Sequence, residues 1–296
     1  MKVAIIHYRS TPPPSALELS KAVEELGGTP QYYRISELDA IMGPSGVKVM
    51  RGPEEVDADC ALLRSFGATT NYELLTKRLG VLEAMASRIP VINDPERAFV
   101  ARDKWRGLLR LLRAGLPVPT TMVTENPRSA MRFVESNGAV VYKPISGSLG
   151  LGSALLLDPD LAFQTTRNLI GIGMPSYYQV FLRKPGYDYR VFVVGGRPIG
   201  GMRRRVASGW KTNIAQGAMG EKVSEEEEPA PFELAIKATE VLGLDYAGVD
   251  VALDVETSKY YILEVNVFPQ WKGLMQATGV NVPMEIVKYA VERVRK

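Results

Sequence analysis

The first third of the chain alternates short unbroken apolar runs with segments whose apolar residues recur at helical spacing. The runs at 2–6, 60–64 and 89–92 read as buried strands. The segments 15–26 and 71–87 read as helices, the first ended by Gly27-Gly28 and led into by Pro12-Pro13-Pro14, with Ser15 as its cap. This alternation predicts a small parallel α/β unit over residues 1–94, and Asn93-Asp94-Pro95 marks its end. Beyond it come a basic helix over Asp103–Ala114, stopped by Gly115 and Pro117, a helix over Arg128–Ser136 and a strand over Ala139–Lys143. The remainder is strand-rich, with helices at 232–242 and 283–295. Glu225–Glu228, beside two prolines, reads as a solvated loop.

Three places break the apolar pattern with residues that carry chemistry. In the first, a strand ends in Lys143-Pro144, and a loop containing Gly147, Ser148, Gly150 and Gly152 leads into a second apolar strand, Ala154–Leu157. Small residues let backbone N–H groups turn toward an anion, and Lys143 adds a positive charge beside them. The lysine precedes the glycines and no helix follows, so this is neither a Walker A loop nor a dinucleotide-binding fingerprint. A plain hairpin turn with a surface lysine is the competing reading.

In the second, Tyr246–Leu253 and Lys259–Val267 read as two strands of a hairpin. Alternation places Glu264 and Asn266 on one face. A turn centred near Glu256 pairs Asp250 with about Ile262, which sets Asp250 diagonally beside Glu264. Two carboxylates so close repel unless a cation lies between them, and a hydrated Mg²⁺ or Mn²⁺ would meet that need. The competing reading is a surface hairpin with a polar solvent face.

In the third, Asp188–Val194 and Ile199–Arg204 flank Gly195-Gly196-Arg197-Pro198. A register centred on Gly196 puts Arg190 and Arg204 on one face and Arg203 and Arg205 on the other. Guanidinium groups suit phosphate and carboxylate oxygens, although Arg203 and Arg205 also read as a polar edge that resists aggregation.

Composition narrows the chemistry. The chain has 296 residues, 46% of them hydrophobic, which is enough for two or three modest domains. A single cysteine, Cys60, forbids an intramolecular disulfide, and a single histidine, His7, removes His-rich zinc sites and makes a Ser-His-Asp triad implausible. Any metal must therefore be held by oxygens. The net charge of +3, from 36 basic and 33 acidic residues, gives no argument for a nucleic-acid partner. No segment approaches the apolar length of a membrane span, and a cytoplasmic location is expected.

Taken in order, Arg102-Asp103-Lys104, Lys143-Pro144 with its glycine loop, Asp188-Tyr189-Arg190, Trp210-Lys211-Thr212-Asn213, Gly248-Val249-Asp250 and Glu264-Val265-Asn266 resemble the ATP-grasp superfamily, and within it the RimK-like amino-acid ligases. The resemblance spans about Asp94 to Pro283. It implies an α/β ATP-grasp fold: the N-terminal unit followed by two α+β subdomains, 95–178 and 179–296, that clasp ATP between them. It implies that Lys104, Lys143 and the loop glycines contact the nucleotide. The strand around Gln179, Val180, Phe181 and Leu182 would hold the adenine by backbone groups. Asp250, Glu264 and Asn266 would hold Mg²⁺ or Mn²⁺, as two ions. Arg190, Arg204, Lys211 and Asn213 would lie near the reacting phosphate and acceptor. Two departures from the family pattern stand out: Val180 where glutamate is common, and Lys211 where arginine is.

The implied reaction activates a carboxylate as an acyl phosphate, which an amine then attacks. The implied substrates are an amino acid, L-glutamate foremost, and the carboxylate of a small coenzyme of pterin or deazaflavin type, or of a peptide. Phe268–Leu274 resembles the coenzyme-glutamylating subgroup; alternatively Trp271 only packs the last helix. An amino-acid carrier protein is the alternative acceptor, and a non-catalytic ATP-binding module the alternative of another class. A homo-oligomer is compatible with either.

Overall fold

Consecutive apolar residues such as Val3–Ile6 are stable in a strand only when both its faces are covered. In the computed structural model, which describes residues 1–67, 71–145, 151–205, 209–210 and 219–295, all four are fully buried. The N-terminal unit runs β1 (Lys2–His7), α1 (Pro14–Glu25), β2 (Thr29–Arg34), β3 (Leu38–Gly43), β4 (Gly46–Arg51), β5 (Glu54–Glu55), β6 (Cys60–Leu63), α2 (Tyr72–Ala86), β7 (Val91–Ile92). Its parallel sheet has the order β2-β1-β6-β7. Helix α1 starts at Pro14, so Ser15 lies inside the first turn and does not cap it. Strands β3 to β5 form a separate antiparallel sheet that the apolar pattern does not announce, because β3 buries only its first residue and β4 only Val49.

The expected boundary at Asn93-Asp94-Pro95 is a helix start. Asp94 accepts from the Arg97 N–H at 3.0 Å, and Pro95 opens α3 (Pro95–Arg102). Asn93 is fully buried and ties the N-terminal unit to the far end of the chain. Its amide donates to the carbonyls of Tyr246 and Val267 and accepts from the N–H groups of Asp245 and Tyr246.

The middle of the chain holds α4 (Lys104–Arg113), β8 (Thr121–Thr124), α5 (Pro127–Asn137), β9 (Val140–Tyr142), β10 (Ala154–Leu156), α6 (Pro159–Gly171) and β11 (Ser176–Val180). An antiparallel sheet of order β10-β9-β11-β8 carries α5 and α6. Residue 178 falls inside β11, and Gln179 and Val180 pair with β9 as part of this sheet.

The last part contains β12 (Tyr187–Val194), β13 (Arg197–Arg205), β14 (Met219–Val223), α7 (Pro229–Leu242), β15 (Tyr246–Asp254), β16 (Lys259–Asn266), α8 (Lys272–Thr278) and α9 (Val282–Arg295). Its antiparallel sheet has the order β14-β13-β12-β15-β16. One face, with Val191, Val193, Val249, Val251 and Val265, joins the core that includes Phe232 and Ala235 of α7. On the other face, Phe192, Val194 and Tyr246 pack with Leu274 and Ile286 of α8 and α9. Further along β12 and β15 that same face turns polar, and the candidate site lies there. The α/β class with a parallel N-terminal sheet followed by antiparallel α+β units is as expected from the sequence. Among the described residues, no helix is long and apolar enough to cross a membrane.

Candidate active site

Strands β15 and β16 form the expected hairpin, with a register that a bulge changes. Val251 pairs with Ile262, but Asp250 pairs with Glu264, and Gly248 with Asn266. Next to the turn the register is one residue off the expected one, and the extra residue of the bulge adds a second step that sets Asp250 directly across from Glu264 rather than diagonal to it. The three oxygen-bearing residues share one face, as alternation predicts. Asn266 donates its amide to the Gly248 carbonyl at 3.2 Å, so its side-chain oxygen is not spent on that bond.

Asp250 is the hub. It is 5% exposed and accepts a fork from Arg190, through Nε and through Nη2 at 2.9 Å. Arg204 Nη2 reaches the same carboxylate at 3.1 Å. Arg204 is itself anchored through Nε to Asp188 Oδ1 at 2.7 Å, and Lys184 Nζ lies 3.6 Å from Asp188 Oδ2. Burial alone would raise the Asp250 pKa, but Arg190 and Arg204 outweigh it and hold the carboxyl below its ordinary range. Arg204, buried beside Asp188 and Asp250, is held more firmly charged than a free arginine despite its burial.

The β12–β13 register sorts the arginines as alternation predicts. Arg190 and Arg204 meet at Asp250. On the opposite face Arg203 pairs with Glu228 at 2.6 Å, and Glu228 also accepts from Tyr189 and Tyr260. The acidic run expected as a solvated loop thus supplies the partner of Arg203. Arg205 pairs with Glu221 across β14.

The lysines arrive from the central part. Asp103 caps α4 by accepting from the N–H groups of Trp105 and Arg106, which fixes Lys104 at the helix start. Lys104 Nζ lies 3.4 Å from Glu264 Oε1 and 3.5 Å from the Ile145 carbonyl. Lys143 Nζ donates to Gln179 Oε1 at 2.5 Å. Burial lowers the Lys143 pKa to about 8; Lys104 and Lys184 push the same way, while Glu264 and Asp250 oppose them. Five cationic side chains, Lys104, Lys143, Lys184, Arg190 and Arg204, thus surround three carboxylates, Asp188, Asp250 and Glu264. The excess of positive charge suits a polyanion.

Gly152 has φ +74°, and a Cβ there would sit 2.9 Å from Pro144 Cγ, so the strand-end proline and the loop's last glycine pack closely. Gly147, Ser148, Gly150, Lys211 and Asn213 lie outside the described residues. On the expected adenine strand, the N–H groups of Val180 and Phe181 are already given to the Thr120 and Ala139 carbonyls, at 2.9 and 3.0 Å.

Lys184 and Asp188 are the site residues to which sequence reasoning assigned no role. The Asp-Tyr-Arg motif contained Asp188, but only the tertiary contact with Arg204 shows its task. Gly248 is a further one. A Cβ at Gly248 would lie 2.8 Å from Pro269 Cβ and 3.2 and 3.3 Å from Arg190 Nη1 and Cδ. Gly248→Ala is therefore expected to push Arg190 off Asp250, lower turnover about 10²-fold and cost about 1–3 kcal/mol of stability through the clash. Wild-type kcat in folded Gly248→Ala would show that this gap does not set Arg190.

Trp271, expected either to select an acceptor or to pack the last helix, is 2% exposed. It belongs to the core shared with α9, donates from Nε1 to Glu18 of α1 at 2.5 Å, and lies under the Arg64 guanidinium at 4.1 Å. Its place is packing between units.

Residues 101–290 match the family model of the RimK-like ATP-grasp domain. A tetrahydromethanopterin:alpha-L-glutamate ligase of Methanosarcina acetivorans is 32% identical over 79% of this chain and 80% of its own. A probable alpha-L-glutamate ligase of Haemophilus influenzae is 29% identical over 77% of this chain and 74% of its own. Among solved structures, the ATP-grasp ligase PsnB complexed with a minimal precursor superposes with a TM-score of 0.77 at 20% identity, covering 98% of each chain. A RimK domain ATP-grasp protein from Sphaerobacter thermophilus gives 0.72 at 22% identity, covering 98% of this chain and 99% of its own.

Proposed function

Because the chain belongs to the RimK-like ATP-grasp family and is by that membership an ATP-dependent ligase of carboxylate to amine, we propose that it adds L-glutamate to a carboxylate of a small coenzyme. The relatives named for tetrahydromethanopterin and alpha-L-glutamate support this substrate class. The observation that carries the site reading is the cation-rich network meeting at Asp250 and Glu264.

The geometry and the motifs support a division of labour. Lys143, Lys104 and the loop ending at Gly152 bind the nucleotide phosphates, and carbonyls near Val180 with Leu182 hold the base. Arg190 and Arg204, fixed by Asp250 and Asp188, neutralise the oxygens of the phosphoryl group as the acceptor carboxylate attacks it. The same cations then steady the acyl phosphate while the amine displaces phosphate. Lys211 and Asn213 belong by their motif to the same reacting end.

Asp250, Glu264 and Asn266 fit Mg²⁺. All are oxygen donors on one face, and a carboxylate with about four lone-pair sites can hold two guanidinium groups and still bind a cation. Among the described residues no three His, Cys, Asp or Glu side chains converge on one point, so the amide of Asn266 completes the set. When bound, one or two such ions would offset phosphate charge and orient the transferring group.

A phosphate-release screen tests the reading, with each common amino acid offered against pterin-type coenzyme, peptide and carrier-protein acceptors. Magnesium-dependent release that requires glutamate and the coenzyme is the expected result. Release driven only by a carrier protein would replace the coenzyme with that partner, and none with any acceptor would sink the substrate assignment.

A further inference from the structure

β6 lies beside β1 in the parallel sheet, and β1 leads outward to β2 on its other side. The crevice past the C-terminal ends of β1 and β6 is therefore the switch point where such sheets take ligands. The segment that follows β6, Arg64–Gly67, leaves the sheet at that end; Arg64 opens it, and two further arginines close on its other end. Arg64, 4% exposed, donates to the Tyr246 hydroxyl and to the Pro269 carbonyl, each at 3.0 Å. Arg78 of α2 donates to the Phe66 carbonyl at 2.7 Å, and Arg102, the last residue of α3, donates to the Gly67 carbonyl at 3.1 Å. The buried Nε atoms of Arg64 and Arg78 have no partner.

Every acceptor that these guanidinium groups meet is a neutral oxygen. Among the described residues, none of the three is in an ion pair, and the undescribed stretches contain no aspartate or glutamate side chain. Arg78 and Arg102 meet beside Gly67 and repel each other, and the neutral oxygens and the Trp271 ring that the three groups meet offset their lost hydration only in part. Arg102 shows the strain: burial, with Arg78 adding to it, pushes its pKa down. Guanidinium forks with spare donors are what a carboxylate or phosphate would satisfy.

The cluster adjoins the reacting end of the site. Phe268, two residues past Asn266, sets its ring 5.4 Å from that of Phe66. Pro269 gives its carbonyl to Arg64 and lies against the Gly248 gap that admits Arg190.

We propose that Arg64, Arg78 and Arg102 form an anion subsite for the acceptor: they hold an acidic group, carboxylate or phosphate, other than the carboxylate that is activated. The word "acceptor" rests on the function proposed above; the anion subsite itself does not.

The test is calorimetric titration of the full chain with glutarate and, separately, inorganic phosphate, with and without saturating Mg·ADP. Wild type is expected to bind at least one of them, and the probe that binds more tightly identifies the acidic group. The Arg78→Gln/Arg102→Gln double variant is expected to bind at least about ten-fold more weakly, with ADP affinity unchanged within about two-fold. Arg102→Lys, which keeps the charge, is expected to recover part of the loss. Undiminished anion binding by the folded double variant, or no anion binding by wild type, would overturn the subsite. So would a parallel loss of Tm and ADP affinity with no selective loss of the anion, the mark of arginines that merely brace the segment. Absence of ADP binding would sink the nucleotide reading, while the nucleotide-free titration still decides the subsite.

Discussion

Asp250→Ala is expected to lose both turnover and stability, whereas Glu264→Gln loses turnover alone. The two residues face each other across β15 and β16, yet their surroundings differ. Asp250 is the shared partner of Arg190 and Arg204, both mostly buried. Its removal leaves Arg204 with Asp188 but strips Arg190 of its carboxylate partner. Breaking a buried pair from one side costs about 3–5 kcal/mol. Glu264 keeps 29% of its side chain exposed and faces Lys104 at 3.4 Å, a pair worth about 0–1 kcal/mol. Turnover in both variants should fall by about three orders of magnitude or more, since each removes a carboxylate charge at the point where the cation would be held. Phosphate release and urea denaturation, measured side by side, separate the two outcomes, and full activity in either variant would remove it from the metal set. Acid unfolding gives an independent check. Asp250's pKa in the fold lies below its ordinary 3.8. Its contribution is therefore in place above that value and is lost only as pH falls through the lower, folded-state one. Asp250→Ala should flatten that acid limb of the stability profile.

Where local pattern settles geometry, the site was legible in the sequence. A register centred on Gly196 separates Arg190 and Arg204 from Arg203 and Arg205, and β12 and β13 have that register at the arginines, although they reach it through a bulge at Phe192/Val193 that the pattern does not announce. The alternation of β16 puts Glu264 and Asn266 together for the same reason. The bulge opposite Asp250 was not legible, because one additional residue in a strand has no compositional mark. Nor were the tasks of Lys184, Asp188 and Glu228, since each depends on a contact between elements distant in sequence. Among the elements, buried runs such as Val3–Ile6 announce themselves. Helix α6, with only Ala162 and Thr166 buried, and strand β3, exposed after its first residue, bury too little to stand out as core elements. The antiparallel sheet of β3 to β5 is held by backbone pairing and a few side chains, which a hydrophobic pattern does not record.

Lys143→Met is expected to stabilise the protein near neutral pH while weakening its hold on nucleotide. The lysine sits deep between the central sheet and the carboxylate hairpin, and burial brings its pKa from 10.5 to about 8. A drop of that size corresponds to roughly 3 kcal/mol spent on keeping the amine charged at pH 7, and partial access to water makes ~1–2 kcal/mol the expected gain on its removal. The sign follows from linkage. Between about 8 and 10.5 the unfolded chain holds a proton that the folded one has released, so wild-type stability rises with pH across that window. The advantage of Lys143→Met should therefore be largest below pH 8 and vanish by about 10.5. Nucleotide binding runs the other way. Phosphates favour the charged amine, so wild-type ADP affinity should fall as pH climbs past about 8. The variant should bind about 10- to 100-fold more weakly at pH 7 and show a flatter profile. Urea denaturation at pH 7, 9 and 10.5 and ADP calorimetry over the same range measure both limbs. Unchanged ADP affinity in the variant would take Lys143 out of the phosphate site. A loss of stability at pH 7 would mean that its bond to Gln179 outweighs the cost of burying the charge. Gain in one measurement and loss in the other is the signature of a cation held at structural cost because a phosphate needs it there.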